Sequence, residues 1–425
     1  MELSRAGTET GVPKMNMTIR LITIMALTAV SAVAVDSPLR RFDFSGGKLE
    51  RGVVAVAPTN NYSTALGFGF ESGASVGAGG NCVTSEKPFR FSVKLPEGNY
   101  AVTVTFGDDA AASDNTVKAE MRRLMLERVK TVKGETVKRT FTVNVRTPKI
   151  TGGAEVRLKA QELESEMVNW DDRLTLEFNG SRPALRSLEI APVQVPTFFL
   201  VGDSTVCDQP REPWNSWGQM LPRFFGPGVA VANYAQSGES IKSSLSARRF
   251  EKVFSQMKSN DWLFVQFGHN DMKDKATNAL AVYKANLKKI VAQTREHGAT
   301  PVLVTSMERK GGVERDTLEG YPNAVREVAK EDDVALIDLH AMSKVFYRAL
   351  DANLGLAFQD GTHHNNYGSY ELARCVVEGI RANVPALAKF LADDAGKFDP
   401  AQPDAPDKFT MALSAAVDTK KPDGN

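Results

Sequence analysis

Four short segments of this chain carry the residue types that acyl transfer needs. Gly202-Asp203-Ser204-Thr205 places a serine directly after an apolar run, and Ser237-Gly238-Glu239-Ser240 places a glycine whose N–H no side chain shields. Gly268-His269-Asn270-Asp271 offers a neutral amide donor, and Asp360-Gly361-Thr362-His363-His364 sets a carboxylate three residues before a histidine. A serine hydroxyl is a poor nucleophile until a base takes its proton. His363 is the candidate base. Asp360, within reach in a tight turn, is the candidate to hold its tautomer and stabilise its charged form. A tetrahedral oxyanion needs preorganised donors, for which the Ser204 N–H, the Gly238 N–H and the Asn270 side chain are the candidates. This chemistry calls for no metal and no cofactor.

Each segment alone has a plainer reading. Ser204 can serve as a helix N-cap, and Asp203 can brace its own loop by accepting backbone hydrogen bonds. His269 reads as structural, His340 as a packing residue, and His297 as a helix C-terminal residue complementing the dipole. His364 competes with His363 as base. Trp214 and Trp217 follow the serine closely enough to stack on a bound substrate, although a core position for Trp217 is an equal expectation. A metal-dependent hydrolase would instead recruit Asp203, His269, Asp271 and His363. That reading leaves Ser204 and Asn270 without a purpose, and these histidines lack paired ligand spacing on one helix.

The elements that must position these segments change character near residue 195. Before it, Phe89, Phe91, Val93 and Leu95 alternate with polar residues, Pro96-Glu97-Gly98-Asn99 makes a turn, and Tyr100, Val102, Val104 and Phe106 resume the alternation. Phe141, Val143 and Val145 repeat the pattern, as do Leu174, Leu176 and Phe178. Short strands of period two between turns predict an antiparallel β-sandwich over residues 42–192. After it, continuous apolar runs at 197–201, 229–234, 262–267, 301–305 and 334–339 alternate with helical stretches. The clearest helix covers 276–297, with Leu280, Tyr283, Leu287, Ile290 and Val291 on one face and Gly298 as its stop. This predicts an α/β domain over 196–392, a parallel sheet covered on both faces and closed by a helix at about 367–382. The four segments follow strands or precede the last helix, where the loops of such a sheet converge. Residues 393–425 are polar and proline-rich, and either drape over the fold or stay disordered.

With 425 residues, two domains are expected. The 52 Lys plus Arg against 51 Asp plus Glu leave no basic surplus, which argues against a nucleic-acid partner. Three cysteines, Cys82, Cys207 and Cys375, exclude a disulfide scaffold and leave one bridge open. Lys14 and Arg20 precede an apolar run from Leu21 to Val33 that ends in Ala32-Val33-Ala34. Residues 1–34 therefore read as a secretory signal peptide, with the stretch before Met15 or Met17 an upstream extension. The expected location is secreted or periplasmic, or the cell surface if this segment is retained. No stable membrane insertion is expected after cleavage.

The four segments resemble, in order, the blocks of the SGNH, or GDSL-type, hydrolase superfamily: Gly202-Asp203-Ser204, Gly238, Gly268-His269-Asn270-Asp271 and Asp360-Gly361-Thr362-His363. The resemblance spans about 198–380. It implies a flavodoxin-like three-layer fold, His363 as base, and the serine, glycine and asparagine as oxyanion donors. Thr205 stands where many members have leucine. Trp217-Gly218-Gln219-Met220-Leu221-Pro222 is similar to rhamnogalacturonan acetylesterases, which implies removal of acetyl groups from a pectic polysaccharide. His364 stands where those enzymes often carry an aromatic residue, which leaves the shape of the site beside the base open. Phe42-Asp43-Phe44 and Leu95-Pro96-Glu97-Gly98-Asn99-Tyr100 resemble the galactose-binding-like sandwich that precedes some of them. Fold and triad do not specify the acyl acceptor. A lipase or thioesterase of the same superfamily, and a non-catalytic carbohydrate-binding protein, are the alternatives.

Overall fold

The period-two segments fold into two facing β-sheets in the computed structural model, which describes residues 7–8, 39–416 and 421–422. The basic and apolar stretch expected as a leader, with its cleavage motif at 32–34, lies outside the described residues. Strands Phe68–Phe70, Phe89–Lys94, Arg173–Arg182, Ser113–Ala119 and Arg123–Thr131 form, in that order, an antiparallel sheet. Its inward residues Phe91, Leu174 and Phe178 share a buried core with Val102, Val104, Phe106 and Phe141 of the sheet opposite. Phe91 is the hub, with the rings of Phe42, Phe44 and Phe70 at 5.2–5.4 Å in edge-on arrangements, the geometry favoured by ring quadrupoles.

The continuous apolar runs become five parallel strands. Their spatial order is Ala230–Asn233, Thr197–Gly202, Trp262–Gln266, Thr300–Val304 and Ala335–Ile337. In chain order this is 2-1-3-4-5, the flavodoxin-like arrangement, with its switch point beside Thr197–Gly202. Successive residues of that strand face opposite layers, so all of it must be apolar. Phe198 and Leu200 pack with Phe346, Leu372 and Val376 of helices Leu339–Leu350 and Asn366–Asn383. Phe199 and Val201 pack with Leu287, Ile290 and Val328 of helices Ala279–Glu296 and Tyr321–Glu331. Leu280 departs from the expected helix face: it lies exposed in the first turn.

The two architectures are joined by main-chain pairing. Val143 of the strand Val137–Val145 pairs in parallel with Val231, so the second sheet of the sandwich continues into the parallel sheet. The described residues from 39 onward belong to one compact unit. The tail drapes over the fold as far as it is described. Ser414 is buried, its N–H donates to Glu212 at 3.1 Å, and its hydroxyl donates to Glu177 at 2.5 Å. The three cysteines are buried and free. Among the described residues no helix is long and apolar enough to cross a membrane.

Candidate active site

The strand Thr197–Gly202 ends on a residue that must be glycine. A Cβ on Gly202 would meet the Gln266 carbonyl oxygen at 2.7 Å and a Val206 methyl at 2.6 Å. The chain then turns at once: the N–H groups of Val206 and Cys207 both reach the Asp203 carbonyl at 3.0 Å. Asp203 Oδ1 accepts from the Thr205 N–H (2.9 Å) and hydroxyl (2.7 Å), the bracing role read from the sequence. Ser204 is held at the head of this turn, 3% exposed.

His363 arrives on a tight turn closed by Gln359 N–H donating to the His363 carbonyl at 2.9 Å. Its Nε2 lies 2.8 Å from Ser204 Oγ, and its Nδ1 lies 2.9 Å from Asp360 Oδ2. The other Asp360 oxygen accepts the backbone N–H groups of Thr362 (2.7 Å) and His363 (2.6 Å). Burial alone would raise the Asp360 carboxyl, but the hydrogen bonds from the His363 ring and backbone pull it well below the ordinary range. The structure thus brings Ser204, His363 and Asp360 into one hydrogen-bonded chain across 159 residues of sequence.

Gly238 has φ +76°, a conformation glycine adopts without the Cβ penalty. The Asn270 side chain donates to the Glu239 carbonyl at 3.0 Å, which ties the two donor loops together. Trp214 stands edge-on to the His363 ring, centroids 5.8 Å apart. Trp217 does not offer a stacking face. It is buried at 1% exposure and its indole N–H donates to Gln266 at 2.8 Å. His269, the structural candidate, lies 3.4 Å from Asp203 with both side chains buried. His340 is bonded to Glu308 at 3.1 Å, and His297, just past the end of its helix, to the Gln293 carbonyl at 2.8 Å. In the metal-ligand set considered above, His363 has both ring nitrogens engaged by Asp360 and Ser204.

His364, the competing base, lies turned away from Ser204 in an aromatic box. Its ring is 2% exposed, boxed by Phe358 and Tyr347, with Nε2 2.9 Å from the Tyr347 hydroxyl. Burial, then the neighbouring His363 and His269, lower its pKa to about 3. An unfolded histidine protonates near 6.5, so the unfolded state gains a proton that the native state refuses, and stability falls as pH drops from about 6.5 towards 3. Asp271, pushed up to about 7 by burial, acts in the opposite sense between about 4 and 7. We expect His364→Phe to gain stability relative to wild type on going from pH 6.5 to 4.5, by up to about 1.4 kcal/mol per pH unit. Thermal melts across that range check this, and parallel curves for the two proteins would remove His364 as the source.

Sequence reasoning missed three residues that hold the site. Gln209 donates to the Ser204 carbonyl at 2.7 Å, Lys159 to the Ser237 carbonyl at 2.5 Å, and Arg122 to the Trp214 carbonyl at 3.1 Å. Only Gln209, five residues from the serine, was within reach of a local pattern. A cavity of about 170 Å³ opens beside Trp214 and Ser237, walled by Gln161, Ser165 and Glu166 from the antiparallel part. A larger cavity of about 640 Å³, lined by Arg139, Phe225 and Phe390, includes residues just before the strand Ala230–Asn233, at the end opposite Ser204.

Residues 200–369 match the GDSL-like Lipase/Acylhydrolase family. Rhamnogalacturonan acetylesterase RhgT of Bacillus subtilis is 36% identical over 229 residues, which cover 48% of this chain and 97% of RhgT. The uncharacterized esterase YxiM of the same bacterium is 26% identical over 375 residues, 82% of this chain and 92% of YxiM. That alignment is too long for the parallel part alone. The crystal structure of YxiM is 25% identical, with 81% of this chain and 98% of that chain covered and a TM-score of 0.45.

Proposed function

The chain belongs to the GDSL-like lipase/acylhydrolase family and is a carboxylic ester hydrolase, and from that premise we propose that it is a secreted esterase removing acetyl groups from a plant cell-wall polysaccharide, rhamnogalacturonan. The observation that carries the mechanism is the 2.8 Å and 2.9 Å chain from Ser204 through His363 to Asp360. In this reading His363 takes the Ser204 proton as the oxygen attacks the acetyl carbonyl. The Ser204 N–H, the Gly238 N–H and the Asn270 amide receive the oxyanion. His363 then protonates the departing sugar oxygen, leaving acetyl-Ser204. A water deprotonated by His363 releases acetate and restores the serine.

The substrate class draws support from the name of the RhgT relative and from the cavity beside Trp214. Gln161, Ser165 and Glu166 place polar groups suited to sugar hydroxyls in its wall. That wall weighs against the lipase or thioesterase alternative. Secretion rests on the leader read in residues 1–34. The division into a galactose-binding-like sandwich at 42–192, a hydrolase domain at 196–392 and a tail at 393–425 belongs to the same proposal, with the sandwich a packing and positioning module.

The test is acetate release from acetylated rhamnogalacturonan, beside acetylated xylan and a long-chain ester. Preferential release from the pectic polymer is the expected result, and release from the long-chain ester alone would move the protein to the lipase reading. Asn270→Ala should lower kcat by about 10²–10³ with little change in KM, because an oxyanion donor acts mainly in the transition state. An unchanged kcat would assign that role elsewhere.

A further inference from the structure

The hairpin turn between strands Ser113–Ala119 and Arg123–Thr131 sits where turns and basic side chains seldom do. Such tips ordinarily lie in solvent, yet Glu120, Met121, Arg122 and Arg123 are 4%, 3%, 2% and 1% exposed. Glu120 and Arg122 both adopt left-handed backbone, φ +53° and +64°, which side chains other than glycine resist. What the tip touches accounts for both. Arg122 Nη1 donates to the carbonyls of Gln209 (3.0 Å) and Trp214 (3.1 Å), and its Nη2 lies 2.6 Å from Glu212. The Met121 carbonyl accepts from Gln219 at 2.8 Å, and Arg123 pairs with Asp208 at 2.6 Å.

All of these partners lie in the segment that follows Ser204. Gln209 reaches back to the Ser204 carbonyl, and the Trp214 ring stands against His363. One arginine from the antiparallel part is therefore two contacts from both the nucleophile and the base. A second cation does the same for the oxyanion loop. Lys159 Nζ donates to the Ser237 carbonyl at 2.5 Å and lies 3.1 Å from Glu239, the two residues that flank Gly238. Arginine suits the first position because its planar fork serves two carbonyls and a carboxylate together, which a lysine point charge cannot.

We propose that Arg122 and Lys159 are positioning residues of the esterase site, so that the antiparallel part of the chain sets the Ser204–His363 geometry and the presentation of the Gly238 N–H. This rests on the roles proposed above for Ser204, His363 and Gly238. Glu212 keeps other partners when Arg122 is replaced: Lys118 at 3.4 Å, Asn366 at 2.9 Å and the Ser414 N–H at 3.1 Å. Arg122→Met keeps the aliphatic stem and leaves that carboxylate paired.

The experiment uses the full chain and a soluble chromogenic acetyl ester, with wild type, Arg122→Met, Arg122→Lys, Lys159→Met and Ser204→Ala. Arg122→Met should lower kcat by about 10²-fold, as a small misplacement of reacting groups does, with KM within about twofold of wild type. Arg122→Lys should recover part of that loss in kcat, since it restores a cation but not the planar fork. Lys159→Met should lower kcat by about tenfold, through the oxyanion donor alone. If Arg122→Met does not fold, Lys159→Met carries the test, since its side chain is 29% exposed. Folded variants with kcat within about twofold of wild type would overturn the inference. Ser204→Ala separates the layers: turnover without that hydroxyl sinks the mechanism itself, whereas an inactive Ser204→Ala beside unaffected Arg122 and Lys159 variants sinks only the positioning roles.

Discussion

Ser204→Ala is expected to lower kcat for acetate release by about 10⁴–10⁶ while the protein still unfolds cooperatively near the wild-type temperature. The Ser204 hydroxyl is 2.8 Å from His363 Nε2. Removing it takes away the attacking atom and leaves one imidazole nitrogen without that partner, a cost of about 1 kcal/mol. The turn that carries the residue does not depend on the hydroxyl, because Asp203 closes it through its own carbonyl and carboxylate. The residual rate should come from binding and the oxyanion donors, which survive the substitution. Initial rates and a thermal melt on the same preparation check both halves of the expectation. Substantial turnover by a folded Ser204→Ala protein would falsify the covalent mechanism.

Asp360→Asn should cost roughly 10⁴ in kcat, although it changes one atom. One Asp360 oxygen accepts two backbone N–H groups, from Thr362 and His363. An asparagine must keep its oxygen there, because its NH₂ would oppose two donors. The NH₂ then faces His363 Nδ1 and forces that nitrogen to accept. The ring proton moves to Nε2, against Ser204, and the base can no longer take the serine proton. The carboxyl also carries a pH signature. Its folded pKa is depressed, so it contributes stability above the unfolded value near 3.9 that is lost as pH falls through the folded one. Asp360→Asn should therefore show a shallower acid limb of stability together with its kinetic loss. A full-rate Asp360→Asn enzyme would mean that another group sets the His363 tautomer.

The elements and the local chemistry were legible in the residues, because both are written at short range. Alternation at Phe89, Phe91 and Val93 produced a half-buried strand, and the unbroken apolar run at 197–201 produced a strand buried on both faces. Asp360 and His363 sit three residues apart, so one turn joins them. Contacts between distant segments set the rest. The pairing of Val143 with Val231 fuses the sandwich to the parallel sheet, and no local pattern encodes a partner 88 positions away. The same separation hid Arg122 and Lys159. A basic residue in a turn reads as solvated, and only the folded chain supplies the carbonyls and carboxylates that make its burial tolerable. His364 shows the converse: beside the base in sequence, it is turned by the pleat of an isolated antiparallel bridge with Phe358 into an aromatic box, because neighbouring residues on an extended segment point to opposite faces.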